Sequence, residues 1–177
     1  MFAGTGVRII AVDISRELIE KARSRGLPES QVTFMEQSFK DCDPHGPFDA
    51  VIGSSVLHHL DIKTAIAGIY GLLKPGGIMS FAEPNMLNPQ IVVQKNVTSI
   101  KARMGDSPDE SAFVRWRLRD QLLEAGFVDV HIMPHDWLHP ATPSPLIKVI
   151  IHAGQILEKL PVIREFAGSL HISCRRP

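Results

Sequence analysis

Short apolar runs alternate along this sequence with segments in which apolar residues recur every three or four positions. The short runs contain many β-branched residues, a pattern typical of buried strands. They lie at residues 7–12, 32–35, 48–53, 78–82, 127–133 and 170–174. Because helical patterns separate most of these runs, the sequence predicts an α/β fold whose sheet is mostly parallel.

Residues that start and stop helices bound the first two helical segments. Asp13 and Ser15 precede the first segment as N-caps, and Gly26 ends it. Asp61 precedes the second, which ends before residues 74–77 because the proline and glycines there cannot continue a helix. Both segments are therefore predicted to be crossover helices between parallel strands.

The second half of the chain carries two further helical patterns. Ser107, Pro108 and Glu110 form a helix start, and the apolar positions that follow predict a helix that runs to Gly126. Residues 146–160 are apolar on most sides. One face of this last helix is therefore expected to meet a ligand or a partner.

Length and composition fit a single domain over residues 1–177, within which residues 86–106 and 134–168 are expected to cover a substrate. Nineteen basic residues balance nineteen acidic ones, which argues against nucleic acid as a partner. No apolar stretch is long enough to span a membrane. Two cysteines and the lack of a signal peptide predict a cytoplasmic protein.

Four segments together resemble class I S-adenosylmethionine-dependent methyltransferases, in particular the branch that acts on small molecules. They lie at residues 9–15, 48–60, 72–77 and 122–127, in the order and at the spacing of that family. The resemblance implies a Rossmann-like three-layer sandwich with an antiparallel C-terminal strand and the strand order 3-2-1-4-5-7-6. It also implies S-adenosylmethionine as the cofactor and a small, partly apolar methyl acceptor.

The resemblance assigns cofactor contacts to the ends of three predicted strands. Asp13 follows a strand, where a carboxylate can accept hydrogen bonds from ribose hydroxyls, although an Asp in this position is equally suited to capping a helix. The family often has an acid near the adenine, and this sequence has Ser38 in its place. The complete set of assigned residues is Asp13, Ile14, Gln37, Ser38, Phe39, Gly53, Ser54, Ser55 and Val56.

Three residues are candidate catalytic bases for an acceptor that must lose a proton. His58 and His59 follow the predicted strand at 48–53, and Glu83 follows the one at 78–82. Histidine as a residue type exchanges protons near neutral pH, which suits this work. A structural role is the alternative for each of them.

The N-terminal sequence suggests a second hypothesis. Gly4-Thr5-Gly6 looks like the end of a glycine-rich loop, but Asp13 follows too soon for the usual strand–loop–helix–strand spacing. We therefore expect the family's first strand and glycine loop to be absent from this sequence. The alternative function is that of a truncated, non-catalytic fragment that binds or regulates a partner.

Two other motifs are set aside. Tyr70 and Lys74 have the spacing of a short-chain dehydrogenase pair, but they lie at a predicted helix end and too close to Asp13 for that family. His131, His135 and His139 recur every four residues, but nearby prolines exclude a helix that would bring them onto one face. No metal site is predicted.

Overall fold

The computed structural model describes residues 5–42, 45–97, 112–139 and 142–177. The chain divides into two compact units, Met1–Gly46 and Pro47–Pro177. The described strands form two hydrogen-bonded sheets, one in each unit. The prediction of a single domain over the whole chain stays a prediction.

The first unit is a βαβ arrangement. Strand β1 (Ile9–Asp13) is followed by helix α1 (Arg16–Arg23) and strand β2 (Val32–Glu36). The two strands pair in parallel, with Asp13 opposite Glu36 at their carboxyl ends. Ser15 caps α1, its side chain accepting a hydrogen bond from the Leu18 N–H at 3.3 Å. The strand and the Ser15 cap predicted here are confirmed, whereas Asp13 is not the N-cap, because its side chain accepts from Ser15 N before the helix begins.

The second unit contains four strands and four α-helices among its described residues. Its elements are β3 (Phe48–Ser54), α2 (Ile62–Leu72), β4 (Leu73–Pro84), α3 (Pro89–Asn96), α4 (Arg115–Glu124), β5 (Val128–His135), α5 (Ser144–Leu157) and β6 (Ser169–Arg175). Short 3₁₀ turns lie at Leu57–His59 and Ile163–Phe166, and another, Phe39–Asp41, lies in the first unit.

The larger sheet has the strand order β3-β4-β6-β5. Strands β3 and β4 are parallel, whereas β6 lies between β4 and β5 and is antiparallel to both. This order matches the 4-5-7-6 half of the order implied by the sequence resemblance, and β2-β1 matches its 3-2 end. The Rossmann-like α/β class with an antiparallel C-terminal strand is confirmed.

The core of the larger unit lies on one face of this sheet. Along β4, Met79, Phe81 and Glu83 are buried, while Ile78, next to Met79, is 47% exposed. Helix α2 buries Ile66 and Ile69. Burial of each such aliphatic side chain stabilises the fold by about 1.5–3 kcal/mol. The remaining buried core side chains of this unit include Leu118, Leu122, Phe127, Leu170 and Ile172.

Two predicted boundaries are wrong. Helix α4 begins at Arg115, because Phe113 forms a bridge with Asn85 and hydrogen-bonds to the Pro84 carbonyl at 3.0 Å. A continuous helix to Gly126 therefore does not include Phe113, and the predicted start at residues 107–110 lies outside the described residues. Strand β4 begins at Leu73, directly after α2, with Gly76 at a φ of 81° in its first part.

The two segments predicted to cover a substrate contain regular helices. Helix α3 follows Asn88, whose side chain accepts hydrogen bonds from Gln90 N and Ile91 N. Helix α5 leaves Val149 and Ile156 exposed, at 64% and 55%. In the part of the chain that the structure describes, every helix is too short or too polar to cross a lipid bilayer.

Both cysteines are free and buried. Burial raises the pKa of Cys174 to about 12, from an ordinary value of 9.0. Between these values the unfolded chain loses the thiol proton while the folded chain keeps it, so stability falls as the pH rises. We expect this thiol to lower the free energy of unfolding by about 1.4 kcal/mol per pH unit above pH 9.

Urea denaturation of the wild type and of Cys174→Ala between pH 8.5 and 10.5 measures this effect. The expected result is a shallower decline of stability with pH in the variant, whatever its absolute stability. Identical slopes for the two proteins would show that the thiol titrates equally in both states.

Candidate functional site

Asp13 lies at the carboxyl end of β1 and is half-buried. Its Oδ1 accepts a hydrogen bond from Ser15 N at 2.8 Å, and its backbone carbonyl accepts one from Gln37 N at 3.0 Å. Its Oδ2 has no hydrogen bond to any described residue. The same side chain therefore orders the start of α1 with one oxygen and has the other to accept a ligand hydroxyl.

The structure brings the predicted adenine residues next to Asp13 within the first unit, through the backbone bond to Gln37. The Gln37 amide donates to Asp41 O at 3.3 Å and contacts Cys42 Sγ at 3.6 Å, so the turn engages it. Ser38 caps this turn by accepting from Lys40 N. This segment offers the hydroxyl hydrogen of Ser38 and nearby backbone groups for hydrogen bonds to an adenine ring. Ile14, by contrast, is 78% exposed.

The end of β3 forms a tight loop in the second unit. Ser55 has a φ of 55°, and its N–H donates to the Ala82 carbonyl of β4 at 2.8 Å. A positive φ is uncommon for a residue with a side chain, and it persists only where the surroundings hold it. Ser54, Ser55 and Val56 are exposed there. The loop therefore presents its backbone and small side chains at the carboxyl edge of the sheet.

Gly53 lies against the ring of Phe81. A Cβ atom at this position would lie 2.4 Å from Phe81 Cε1, far inside van der Waals contact. The structure therefore gives a steric reason for a small residue at this strand exit. A cofactor contact by the Gly53 backbone stays a prediction.

The Glu83 carboxylate is fully buried beneath the loop that follows β3. Its Oε1 accepts hydrogen bonds from Val56 N at 3.0 Å and Leu57 N at 2.9 Å. Its Oε2 accepts from His58 N at 3.4 Å and contacts His58 Nδ1 at 2.8 Å. The side chains of this His–Glu pair are 6% and 0% exposed. Glu83 thus binds three consecutive backbone N–H groups and one imidazole.

The two adjacent histidines differ in exposure. His58 is buried, whereas His59 is exposed, and their ring centroids lie 4.0 Å apart. The structure brings together two of the three predicted bases, His58 and Glu83, at hydrogen-bond distance. His59 contacts them through the ring of His58.

Two buried asparagines after β4 escaped the sequence analysis. Asn85 is completely buried, and its Nδ2 donates to the carbonyls of Glu165 and Ala167 at 2.9 and 2.8 Å. Asn88 donates to the Phe166 carbonyl at 2.8 Å while capping α3. The two amides join the start of α3 to the turn before β6. The signal was a pair of asparagines three residues apart in an otherwise apolar segment.

The motifs set aside on sequence grounds have other partners. Lys74 forms an ion pair with Asp49 at 2.9 Å, which lowers the pKa of that carboxyl. The Tyr70 ring packs edge-on against Phe127. Among the described residues, no group of three or more His, Cys, Asp or Glu side chains is placed to hold a metal ion. Burial lowers the pKa of His135.

Residues 1–79 match a family of proteins described as a methyltransferase domain. The ubiquinone biosynthesis O-methyltransferase of Xanthomonas oryzae is 40% identical over 79 residues, covering 42% of this chain and 33% of that protein. An S-adenosyl-L-methionine-dependent Diels-Alderase, iliD of Neonectria sp., is 29% identical over 161 residues, covering 81% and 57%. The chain spans 43% or less of the first curated methyltransferases that it matches.

Solved structures extend the likeness to the whole chain. A Thermotoga maritima protein described as a SAM-dependent methyltransferase, possible histamine N-methyltransferase, superposes with a TM-score of 0.67 at 16% identity. The match covers 99% of this chain and 76% of that one. The resemblance predicted from sequence is confirmed: the first 79 residues match a methyltransferase domain, and the chain has the fold of S-adenosylmethionine-dependent methyltransferases.

Proposed function

We propose that this chain binds S-adenosylmethionine and transfers its methyl group to a small molecule. The observation that carries the proposal is the arrangement at the carboxyl ends of β1 and β2. Asp13 has an oxygen left to accept a ribose hydroxyl, and the backbone bond to Gln37 holds the 37–39 segment beside it. In open α/β sheets, ligands bind at this edge.

The proposed cofactor contacts follow, in each unit separately, from the residues at its own strand ends. In the first unit, Asp13 would hold the ribose, and Ile14 with residues 37–39 would line the adenine. In the second unit, Gly53, Ser54, Ser55 and Val56 would face the methionine part through backbone groups. The positive φ of Ser55 supports this, because such strained residues cluster at ligand sites.

The chemistry asks little of the protein beyond placement. Methyl transfer from a sulfonium is an in-line displacement, and correct positioning of donor and acceptor can supply about 7–11 kcal/mol of the barrier reduction. A base is needed only when the acceptor must lose a proton. His58, His59 and Glu83 remain the candidate catalytic residues for that step.

The acceptor and its setting are part of the same proposal. Helix α3 and the 162–166 segment expose apolar side chains near the carboxyl end of β4, including Val93 at 49% and Val162 at 74%. Asn88 links these two segments through its bond to Phe166 O. They suit a small acceptor with an apolar part. The two free cysteines suit a reduced compartment such as the cytoplasm.

Calorimetric titration with S-adenosylmethionine and S-adenosylhomocysteine tests the function. Micromolar binding of both supports it, and formation of S-adenosylhomocysteine with a panel of phenols and amines identifies methyl transfer. Binding without any turnover of the cofactor would contradict methyl transfer and leave only the binding part of the proposal. No binding at millimolar concentration would favour the non-catalytic hypothesis, which the comparisons do not favour.

Asp13→Asn separates ribose binding from the ordering of the start of α1. Asparagine keeps a side-chain oxygen that can accept the hydrogen bond from Ser15 N, so stability should stay within about 0.5 kcal/mol of the wild type. Its amide nitrogen cannot accept the ribose hydrogen bond assigned to Oδ2, and loss of a charged acceptor should weaken S-adenosylhomocysteine binding about tenfold or more. Calorimetry measures the affinity and urea denaturation the stability.

The exposed Asp120 of α4 provides the matched control, Asp120→Asn, which should change neither quantity. Unchanged affinity in Asp13→Asn would mean that Asp13 only orders the start of α1, and the ribose assignment would then be abandoned.

A further inference from the structure

The hydrogen bonds that Glu83 accepts occupy both of its carboxylate oxygens, which does not suit a base that must take up a proton. Four donors occupy its two oxygens, and its side chain has no exposed surface. Within the described residues no lysine or arginine forms an ion pair with it. The three donated backbone N–H groups are consecutive, an arrangement that binds anions in many proteins. The carboxylate is therefore held as a fixed acceptor.

We infer that Glu83 is a positioning residue, which fixes the loop after β3 and the orientation and tautomer of His58. The inference rests on the proposed function of that loop in cofactor binding and deepens it. It distinguishes two of the three candidate bases: His58 accepts the proton, and Glu83 holds His58 in place. Glu83 reaches the proposed site only through the backbone of residues 56–58 and the ring of His58.

The bond between His58 and Glu83 determines which ring nitrogen carries the proton. A carboxylate only accepts hydrogen bonds, so His58 Nδ1 must be the donor across the 2.8 Å contact. In the neutral ring, Nε2 then carries the lone pair. Nε2 of His58 is thus the atom prepared to accept a proton from a methyl acceptor.

The loop after β3 is fixed by hydrogen bonds to two residues of β4. Ser55 N is bound to Ala82 O of β4, and Val56 N and Leu57 N are bound to Glu83 of the same strand. Two adjacent residues of β4, Ala82 and Glu83, thus hold three successive N–H groups. This anchoring accounts for the positive φ of Ser55, because bonds on both sides of that residue maintain it.

Glu83→Gln tests the inference because the change is nearly isosteric. The amide oxygen is expected to face Val56 N and Leu57 N, since the reverse orientation would set an NH₂ group against two donors. The NH₂ group then faces His58 Nδ1 and forces the ring into the Nε2–H tautomer. The ring ¹⁵N shifts of His58, assigned by their loss in His58→Gln, report this exchange directly.

The wild type should show the Nδ1–H tautomer, and Glu83→Gln should show Nε2–H together with an S-adenosylhomocysteine dissociation constant about tenfold higher. Glu124→Gln, an exposed change on α4, should alter neither. An Nε2–H tautomer in the wild type would overturn the inference, and so would unchanged shifts and affinity in Glu83→Gln. If that variant does not fold, the wild-type tautomer decides alone.

The two proposals fail in different ways. Wild-type protein that binds no S-adenosylhomocysteine contradicts the proposed function, whatever the tautomer. Wild-type protein that binds it, with a Glu83→Gln variant equal in affinity and tautomer, contradicts only the positioning role.

Discussion

Gly53→Ala is expected to lower the free energy of unfolding by about 3 kcal/mol, at the upper end of typical overpacking costs. The added methyl group would lie 2.4 Å from one atom of the Phe81 ring and 2.8 Å from the next. Phe81 is buried at 4% exposure, so the ring has no free space into which to move. Strands β3 and β4 must separate or the ring must tilt. Urea denaturation measures the loss.

The double variant Gly53→Ala/Phe81→Leu provides the control. Leucine is shorter than phenylalanine. The single variant Phe81→Leu should therefore be less stable than the wild type, whereas the same change made in Gly53→Ala should recover part of the stability that Gly53→Ala loses. A double-mutant cycle without coupling would contradict the steric explanation. The double variant also tests the cofactor contact: unchanged S-adenosylhomocysteine affinity would show that Gly53 is needed for packing only.

Asn85→Asp is expected to cost about 4 kcal/mol at pH 7, the scale for a buried charge without a partner. In the wild type the Asn85 amide donates to two carbonyls, and its Oδ1 accepts from Leu87 N at 3.1 Å. A carboxylate would set a negative oxygen against those two carbonyl oxygens. The link between the start of α3 and residues 165–167 should open.

The loss should depend on pH in a defined direction. Burial beside carbonyl groups raises the pKa of the introduced carboxyl in the folded state, so the folded chain binds the proton more tightly than the unfolded one. Stability is then retained best at low pH and falls as the pH rises through that pKa. Denaturation at pH 5 and pH 8 compares the two conditions.

Asn96→Asp is the matched control, because Asn96 is exposed at the end of α3 and bonds only Val92 O in its own helix. It should change stability by less than about 0.5 kcal/mol. An Asn85→Asp protein as stable as this control would mean that the two carbonyls find other donors.

The sheet was predictable because local pattern determines its strands. Short apolar runs marked β3 and β6 within one residue of their bounds, because strands buried on the sheet are apolar, but the run at 78–82 missed the first five residues of β4. The start of α4 was not predictable in the same way. Phe113 fits a helix by its apolar spacing, but a bridge to Asn85, distant in sequence, takes its backbone groups instead.

The candidate site, like the fold, could be predicted where local sequence determines it and not where distant residues do. Asp13 could be proposed as a cofactor residue because a carboxylate at a strand end has a recognisable position in the sequence. The role of Glu83 was not, because nothing in the local sequence shows that its oxygens meet the N–H groups of residues 56–58 across two strands. Asn85 and Asn88 were missed for the same reason: their partners lie about 80 residues further along the chain.

The insertion of β6 between β4 and β5 has a consequence for biosynthesis. Strand β5 has β6 as its neighbour in the sheet, so on a translating ribosome its backbone groups stay open until β6 has emerged. Such a late, non-local closure slows folding and leaves an unpaired edge that chaperones are suited to shield. Nascent chains halted before residue 169 should therefore be protease-sensitive over residues 128–135.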